Sequence, residues 1–586
     1  MKPDYLWLIL PIVLQSLAAA TPEESSLEAI SKRYTKRTPN GVHLPIVRRE
    51  TRGLTRRAGS GAAIGLGDSL DISYTALVTV GGIATPVIID TGSSDLWVMS
   101  DACADGCTGA AKLFPQATFK SADIGISLNY GDSSTATFAL GLAGTDTVDV
   151  AGITLQDQTF AAINQTNTTL AAIGATGIFG LGFPVNSIVW SEIFQASSQT
   201  KTTSRESTPR SLTRRLVMFG SAFSGLNFRR ISFPTISAFF DSPPKDTPSP
   251  SGHETRQTPS TSTPSAFDSA LASFRTIGPF IPRLITSGSL AQPLISVTLQ
   301  RNTVDVGGNV GMLSIGELPT DVDVKSMTWV PLRKYSRDEG GLPAPSDSPN
   351  EEYPVTWEIN IDDVYLDGVK LPRSTIAPAS LGYSALVDTG NSLIRGPEDL
   401  VDYINKKLGN DGLFQCSQPH TLAFEIGGKL FSVDPRDFVS QQFKDNVDAC
   451  VSNLAPTDPP KVGNYLFSWS LGTPFLKSVV ASFYYGNITY PSKDEPRMGF
   501  LSTVPDNAGD LLKAAVVTAK NGAKNFPAIS QLAPSGTATP GAVGSGANPK
   551  TTSPSKSSSA VQTYTLTSPF IAILFGLLTS AWTLGL

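Results

Sequence analysis

Histidine is nearly missing from this chain, with three residues in 586, and their positions exclude most chemistry that depends on imidazole. His43 precedes the expected mature start, His253 sits in a Ser/Pro-rich stretch, and only His420 belongs to a plausible core. A Ser-His-Asp or Cys-His enzyme would rest on His420 alone, and a His-rich zinc site is excluded. Cysteine is equally scarce. The four present fall into two pairs, Cys103 with Cys107 and Cys416 with Cys450, and no histidine accompanies either. In an exported chain an even count of this kind argues for two local disulfides rather than a metal site. Long helical periodicity is also rare. From Asp71 onward the chain reads as short strands with glycine-rich turns, among them ISYTALVTVGG and ATGIFGLGFP, which predicts a mostly β protein.

What is present at the N-terminus points to export. Residues 1–20 form an apolar run ending in small residues, the pattern of a secretory signal. Basic pairs follow at Lys32-Arg33, Lys36-Arg37, Arg48-Arg49 and Arg56-Arg57. In an exported chain such a run marks a pro-segment trimmed at dibasic sites rather than a nucleic-acid patch, so residues 21–57 are expected to be removed and the mature chain to start at Ala58. Residues 1–57 carry ten basic and five acidic side chains, and their loss takes the formal charge from −5 to −10. A basic pro-segment would suit an acidic cleft.

Residues from about 198 to 264 are rich in Ser, Thr, Pro and Arg and cannot supply a packed core. Two explanations compete: a disordered loop open to nicking, or retained non-coding sequence. The second is preferred because LVMFGSAFSGLNF does not resemble a linker. The rest predicts two lobes, 58–318, which contains the insert, and 319–504. Residues 505–560 read as a stalk rich in Ser, Gly, Ala and Pro. After Lys556 there is no charge, and the chain closes on an apolar run of 18 residues from Pro569. A membrane-spanning helix would normally carry basic residues on its cytoplasmic side, so residues 561–586 are read as a glycolipid-anchor signal. Asn164, Asn167 and Asn487 stand in glycosylation sequons.

Two stretches organise the rest. VIIDTGSSDLWV, from Val87 to Val98, and ALVDTGNSLI, from Ala385 to Ile394, each run an apolar strand into an Asp-Thr-Gly turn. One copy would be an ordinary exit from a strand. Two copies in separate halves imply that Asp90 and Asp388, with Gly92 and Gly390 in their turns, meet at a shared site.

On these residues the chain resembles the pepsin-like aspartic peptidases, and its tail resembles that of the glycolipid-anchored fungal members called yapsins. The resemblance covers roughly 71–504 apart from the insert. It implies a bilobal β fold with the active site in the cleft and Asp90 and Asp388 as the catalytic carboxylates. It implies further that Tyr130 closes over substrate as the flap tyrosine, that Trp97 holds Tyr130, and that Ser93 hydrogen-bonds Asp90. Gly180 and Gly472 would mark segments supporting the two active-site loops, and both cysteine pairs fall where the family often has disulfides. Asn391 departs from the Thr or Ser usual at its position; its amide can still donate to Asp388 but with a different reach. Asp132, two residues after Tyr130, is expected to favour a basic P1 side chain.

Two carboxylates about 3 Å apart repel by about 5 kcal/mol at an effective dielectric near 20, so the pair holds one proton in mild acid. That state supplies a base and an acid together, without metal or cofactor. The expected protein is therefore a monomeric endopeptidase acting on proteins and peptides, not on nucleic acid, and held at the plasma membrane or cell wall. The competing class is a catalytically silent surface glycoprotein, or binding module, of the same fold.

Overall fold

The computed structural model describes residues 27–50, 72–110, 112–131, 137–203, 266–299, 310–409, 412–443, 445–522, 524 and 526. The signal region, Arg57, Asp132, most of the Ser/Pro-rich insert and everything beyond 526 lie outside these residues.

Helix α1 spans Leu27–Tyr34, and strands β1 to β4 span Lys36–Arg37, Val42–Glu50, Ile72–Val80 and Ile83–Asp90. Strand β3 alternates, with Tyr74, Ala76, Val78 and Val80 all buried, the period-2 pattern of a strand with one face in a core. It turns into β4 through Gly81 and Gly82, both at positive φ (55° and 81°). A two-residue hairpin that matches strand twist needs this left-handed backbone.

Fourteen strands of the described residues form one large sheet. Its order runs Thr328–Pro331, Arg497–Ser502, Val479–Tyr484, Leu294–Thr298, Val310–Ile315, β2, β3, β4, Gly177–Gly180, Leu96–Met99, Ile153–Thr166, Thr137–Val150 and Lys120–Tyr130, with β1 paired to β2. Strands from both ends of the chain therefore meet in one sheet. A second, five-stranded sheet carries Glu358–Asn360, Ser384–Val387, Trp469–Leu471, Ile394–Pro397 and Leu454–Thr457. Strands dominate and helices are short, as expected of the mostly β, two-lobed class.

The two Asp motifs sit in the same local topology. Strand β4 pairs in parallel with Gly177–Gly180, which pairs antiparallel with Leu96–Met99. Ser384–Val387 pairs in parallel with Trp469–Leu471, which pairs antiparallel with Ile394–Pro397. Each turn is thus clamped by a later strand inserted between its two arms. The halves are joined in the core: Trp357 Nε1 and Tyr485 Oη both donate to the Leu181 carbonyl, at 2.9 and 2.6 Å, and both rings pack on Phe183.

Several segments carry structure that the sequence reading did not assign to them. Residues 42–50, expected inside a removable pro-segment, form β2 between β3 and Val310–Ile315, with Val42, Leu44 and Ile46 almost fully buried. His43 is buried in the same strand, hydrogen-bonded to Ser314 Oγ and Glu317 Oε1 at 2.8 Å each. The insert is flanked by helices: Ile188–Thr203 runs into it, and Ala266–Ile277 and Phe280–Thr286 precede the next strand at Leu294. Residues 508–521, expected to open the stalk, form the helix Ala508–Asn521, which buries Ala508, Leu512, Val516 and Ala519. Their spacing of three to four residues gives a continuous apolar stripe. Cys103–Cys107 and Cys416–Cys450 are disulfide-bonded.

Candidate active site

The apolar run Val87-Ile88-Ile89 buries β4 up to Asp90, and Ala385 and Val387 do the same ahead of Asp388. After each Asp the chain turns, and the turns face one another. The Thr91 N–H donates to Thr389 Oγ1 at 3.0 Å, and the Thr389 N–H donates to Thr91 Oγ1 at 3.0 Å. Each hydroxyl then donates across the seam, Thr91 to the Val387 carbonyl at 2.9 Å and Thr389 to the Ile89 carbonyl at 2.7 Å. Four buried hydrogen bonds with near two-fold symmetry lock the turns together. Neither threonine was singled out from the sequence, although both stand in the Asp-Thr-Gly motif itself.

The glycines set the approach of the carboxylates. A Cβ on Gly92 would lie 2.6 Å from Asp388 Oδ1, and one on Gly390 would lie closer still to Asp90 Oδ1. Each glycine leaves the space that the other half's carboxylate fills. The two carboxyl groups are direct electrostatic neighbours. Each also accepts from its own turn, Asp90 Oδ1 from Gly92 N at 2.9 Å and Asp388 Oδ1 from Gly390 N at 2.8 Å.

The symmetry breaks at the third residue after each Asp. Ser93 Oγ donates to Asp90 Oδ2 at 2.5 Å. Asn391 instead donates its amide to Ser470 Oγ at 2.9 Å, and its Oδ1 accepts from Leu393 N at 3.1 Å. The donation to Asp388 expected from the sequence is replaced by a bond to the clamping strand. Burial pushes Asp388 well above the usual carboxylate range, and the neighbouring Asp90 charge pushes it further. Burial also raises Asp90, but Ser93 and the Gly92 N–H oppose the rise. The pair therefore holds one proton between its two carboxyls, and the donors from Ser93 and Gly92 favour charge on the Asp90 side.

The loops behind the carboxylates are held by the clamping strands. Leu181 N donates to the Asp90 carbonyl at 2.8 Å, Gly180 N to Asp95 O at 3.0 Å, and Thr473 N to Asn391 O at 2.8 Å. A Cβ on Gly180 or Gly472 would strike the backbone of the facing turn, so both positions need glycine for close approach. Asp95 is buried and accepts from Ser187 Oγ at 2.5 Å and from the first two N–H groups of the helix Ile188–Thr203, at 2.9 and 3.2 Å. It caps that helix from ninety residues away, and burial pushes its carboxyl up to about 6.

Trp97 Nε1 donates to Tyr130 Oη at 2.7 Å, at the end of the hairpin strand Lys120–Tyr130. Burial, with the charges of Asp95 and Asp90, raises Tyr130 well above the usual phenol range, so its proton remains available for donation. Gly131 continues at φ 85°, and Asp132 lies outside the described residues. A second tyrosine, Tyr465, was missed in the sequence. Its hydroxyl donates to Asn186 Oδ1 at 3.0 Å, and burial, with Asp90 and Asp388 adding, pushes it up to about 12. The sequon residues lie elsewhere: Asn164 is half-buried, Asn167 is exposed, and Asn487 is half-buried and accepts from Thr489 N and Tyr490 N.

A family profile described as eukaryotic aspartyl protease matches residues 73–203 and 266–490, skipping the insert. Pepsin A of Sus scrofa is 27% identical over 431 residues, covering 71% of this chain and 79% of its own length. Major aspartyl peptidase 1 of Cryptococcus neoformans var. grubii is 23% identical over 464 residues, covering 75% and 72%. Cathepsin D of Dictyostelium discoideum is 22% identical over 444 residues, covering 73% and 85%.

Proposed function

Because the chain belongs to the eukaryotic aspartyl proteases, we propose that its endopeptidase activity is carried by Asp90 and Asp388 acting on one water molecule held between them. The observation that carries this reading is the packing of each carboxylate into the space left by the opposite glycine. Ionised Asp90 takes a proton from the water as its oxygen attacks the scissile carbonyl. Protonated Asp388 hydrogen-bonds the carbonyl oxygen and gives up its proton as the tetrahedral oxyanion forms. As the C–N bond breaks, Asp90 returns its proton to the leaving amine and Asp388 recovers one from the gem-diol hydroxyl that becomes the product carboxyl, which restores the starting state. Tyr130, fixed by Trp97, closes over the substrate and excludes bulk water. An extended peptide fits such a cleft by pairing its backbone with the hairpin edge.

The finer assignments are part of the same proposal. Asp132 next to the hairpin tip favours Lys or Arg at P1. Residues 1–20 direct export, and the uncharged tail 561–586 is exchanged for a glycolipid that holds a monomeric, yapsin-like enzyme at the plasma membrane or wall. Asn164, Asn167 and Asn487 carry glycans.

The deciding experiment is cleavage of a quenched peptide library between pH 3 and 7 by the chain truncated before the tail, beside Asp90→Asn and Asp388→Asn. Pepstatin-sensitive turnover lost in both variants is expected. Turnover that survives either substitution would remove the dyad from the mechanism, and a shift toward basic P1 residues abolished by Asp132→Ser would support the specificity. Release of the full-length protein from cells by a phosphatidylinositol-specific phospholipase tests the anchor.

A further inference from the structure

Asn186 and Tyr465 stand 279 residues apart in opposite halves of the chain, and one hydrogen bond joins them. Asn186 ends the short turn Pro184–Asn186, which follows the clamping strand Gly177–Gly180. Tyr465 lies just ahead of the other clamping strand, Trp469–Leu471. Its hydroxyl donates to Asn186 Oδ1 at 3.0 Å, and it lies close enough to Asp90 and Asp388 for both charges to act on it.

The segment carrying Tyr465 is built to hold it still. Leu466 and Ser468 are buried, whereas Tyr465 and Phe467 are half-buried with their rings 5.4 Å apart. This is the alternation of an extended segment with one face inward. Leu466 N donates to Tyr335 Oη at 3.1 Å, and that hydroxyl in turn donates to the buried Glu358. Glu358 also accepts at 2.5 Å from Ser384 Oγ, at the start of the strand that delivers Asp388, and Ser468 N donates to the Ser384 carbonyl at 3.1 Å. The phenol is therefore tied through buried polar groups to the same strand as one of the catalytic carboxylates.

An amide oxygen can only accept, so the phenol must be the donor, and the contact decides which way the Asn186 carboxamide faces. Nδ2 is turned away from the phenol with two hydrogens to give. Among the described residues it donates to none, and it is not one of the buried polar atoms left without a partner, so it is open to solvent. The backbone N–H of Asn186 is already taken by the Phe183 carbonyl at 3.0 Å, which fixes the turn beneath the side chain. An oriented, uncommitted donor near the dyad matches the acceptor that every extended peptide brings, a backbone carbonyl.

We propose that Asn186 is a substrate-positioning residue whose Nδ2 donates to one backbone carbonyl of the bound peptide, and that Tyr465 orients the amide from the opposite half. The proposal rests on the peptidase reading above. Since the carbonyl is common to all peptides, the contact holds the substrate in register without selecting a side chain.

A double-mutant cycle between protein and peptide tests it. The Asp90→Asn protein is expressed full-length and secreted, and a short labelled peptide is chosen from the library by its binding to that protein. Each peptide bond is then replaced in turn by an alkene, which keeps the shape and removes the carbonyl, and Kd is read by fluorescence anisotropy. One replacement should weaken binding about ten-fold in the Asp90→Asn parent and less than about two-fold when Asn186→Ala is added. Adding Tyr465→Phe instead keeps the ring but lets the amide turn, and should cut the same penalty to about three-fold. Penalties that Asn186→Ala leaves unchanged at every bond overturn the positioning role, even if that variant melts at a lower temperature. A full penalty retained with Tyr465→Phe removes Tyr465 from it, and a library from which no peptide binds overturns it as well. Failure of the dyad reads differently, as cleavage of the peptide by the Asp90→Asn protein itself.

Discussion

Thr91 and Thr389 exchange two backbone-to-hydroxyl hydrogen bonds of 3.0 Å each although 298 residues separate them. Because both side chains are fully buried, replacing either hydroxyl by a methyl strands an N–H and a carbonyl, both in the opposite half. Each orphaned buried group costs about 1–3 kcal/mol. Thr91→Val and Thr389→Val are therefore expected to lower the unfolding free energy by about 2–4 kcal/mol by the same principle. Thr→Ser, which keeps the donor, should cost less than about 1 kcal/mol. Urea denaturation monitored by tryptophan fluorescence measures this. A valine variant as stable as its serine counterpart would mean that the crossed bonds do not hold the halves together.

Gly92 and Gly390 test spacing rather than stability. Alanine at Gly92 puts a methyl 2.6 Å from Asp388 Oδ1, and the carboxylates must separate to admit it. Displacement of reacting groups by about 1 Å costs on the order of 10²-fold in rate, so Gly92→Ala and Gly390→Ala should reduce kcat by about that factor with little change in KM. Gly125, on the exposed face of the hairpin with nothing within 4 Å of a built Cβ, is the control, and Gly125→Ala should leave kcat intact. Steady-state kinetics with one quenched peptide compares all three.

The parts of this site that could be read in the sequence are those encoded locally. An apolar strand ending in Asp-Thr-Gly states its own conformation, and Ser93, Trp97 and Tyr130 belong to short motifs whose partners follow from those motifs. The parts not read depend on partners far away in the chain. The crossed threonines need a turn 298 residues distant, and Asn391 is redirected by Ser470, which the clamping strand brings in. Strand β2 was not read as a strand for a different reason. Its basic pair at Arg48-Arg49 outweighed the alternation of Val42, Leu44 and Ile46, yet that alternation decides where the segment lies, because burying the apolar face outweighs two charges that remain at the strand end. In the helix Ala508–Asn521, an alanine-rich composition hid a periodic stripe in the same way.

The bond from Asn391 to Ser470 leaves Asp388 without the hydroxyl donor that Ser93 gives Asp90, and this has a consequence for pH. The dyad works while it holds one proton, and it loses that proton as pH rises through the raised value of Asp388. A donor to Asp388 would favour its ionised form and lower that value. Asn391→Thr, which restores a hydroxyl at the equivalent position, is thus expected to move the alkaline limb of the kcat/KM profile to lower pH, and Asn391→Ala should not. Profiles from pH 3 to 8 for the three proteins decide it. A threonine variant with an unmoved alkaline limb would break the link between this asymmetry and the proton on Asp388.

Asp95 makes a prediction about stability at pH values where the fold itself is at stake. Burial raises its carboxyl to about 6 in the folded chain, against 3.8 for an ordinary aspartate. Between those values the folded state holds a proton that the unfolded state releases, so the stabilisation is complete below the lower value and is lost as pH rises through the upper one. The difference corresponds to about 3 kcal/mol, and the raised Asp90 and Asp388 act in the same direction. Unfolding free energy should therefore fall between pH 4 and 7, the reverse of the dependence expected of a protein held by salt-bridged carboxylates. Asp95→Asn cannot ionise yet keeps one oxygen for the helix N–H groups, so its stability should be lower at pH 4 but decline less steeply toward pH 7. Urea titrations of both proteins at pH 4, 5, 6 and 7 compare the slopes. Parallel curves would show that Asp95 does not carry the pH dependence, and a steeper decline in the asparagine variant would mean that the ionised carboxylate, not the neutral acid, is the form that caps the helix.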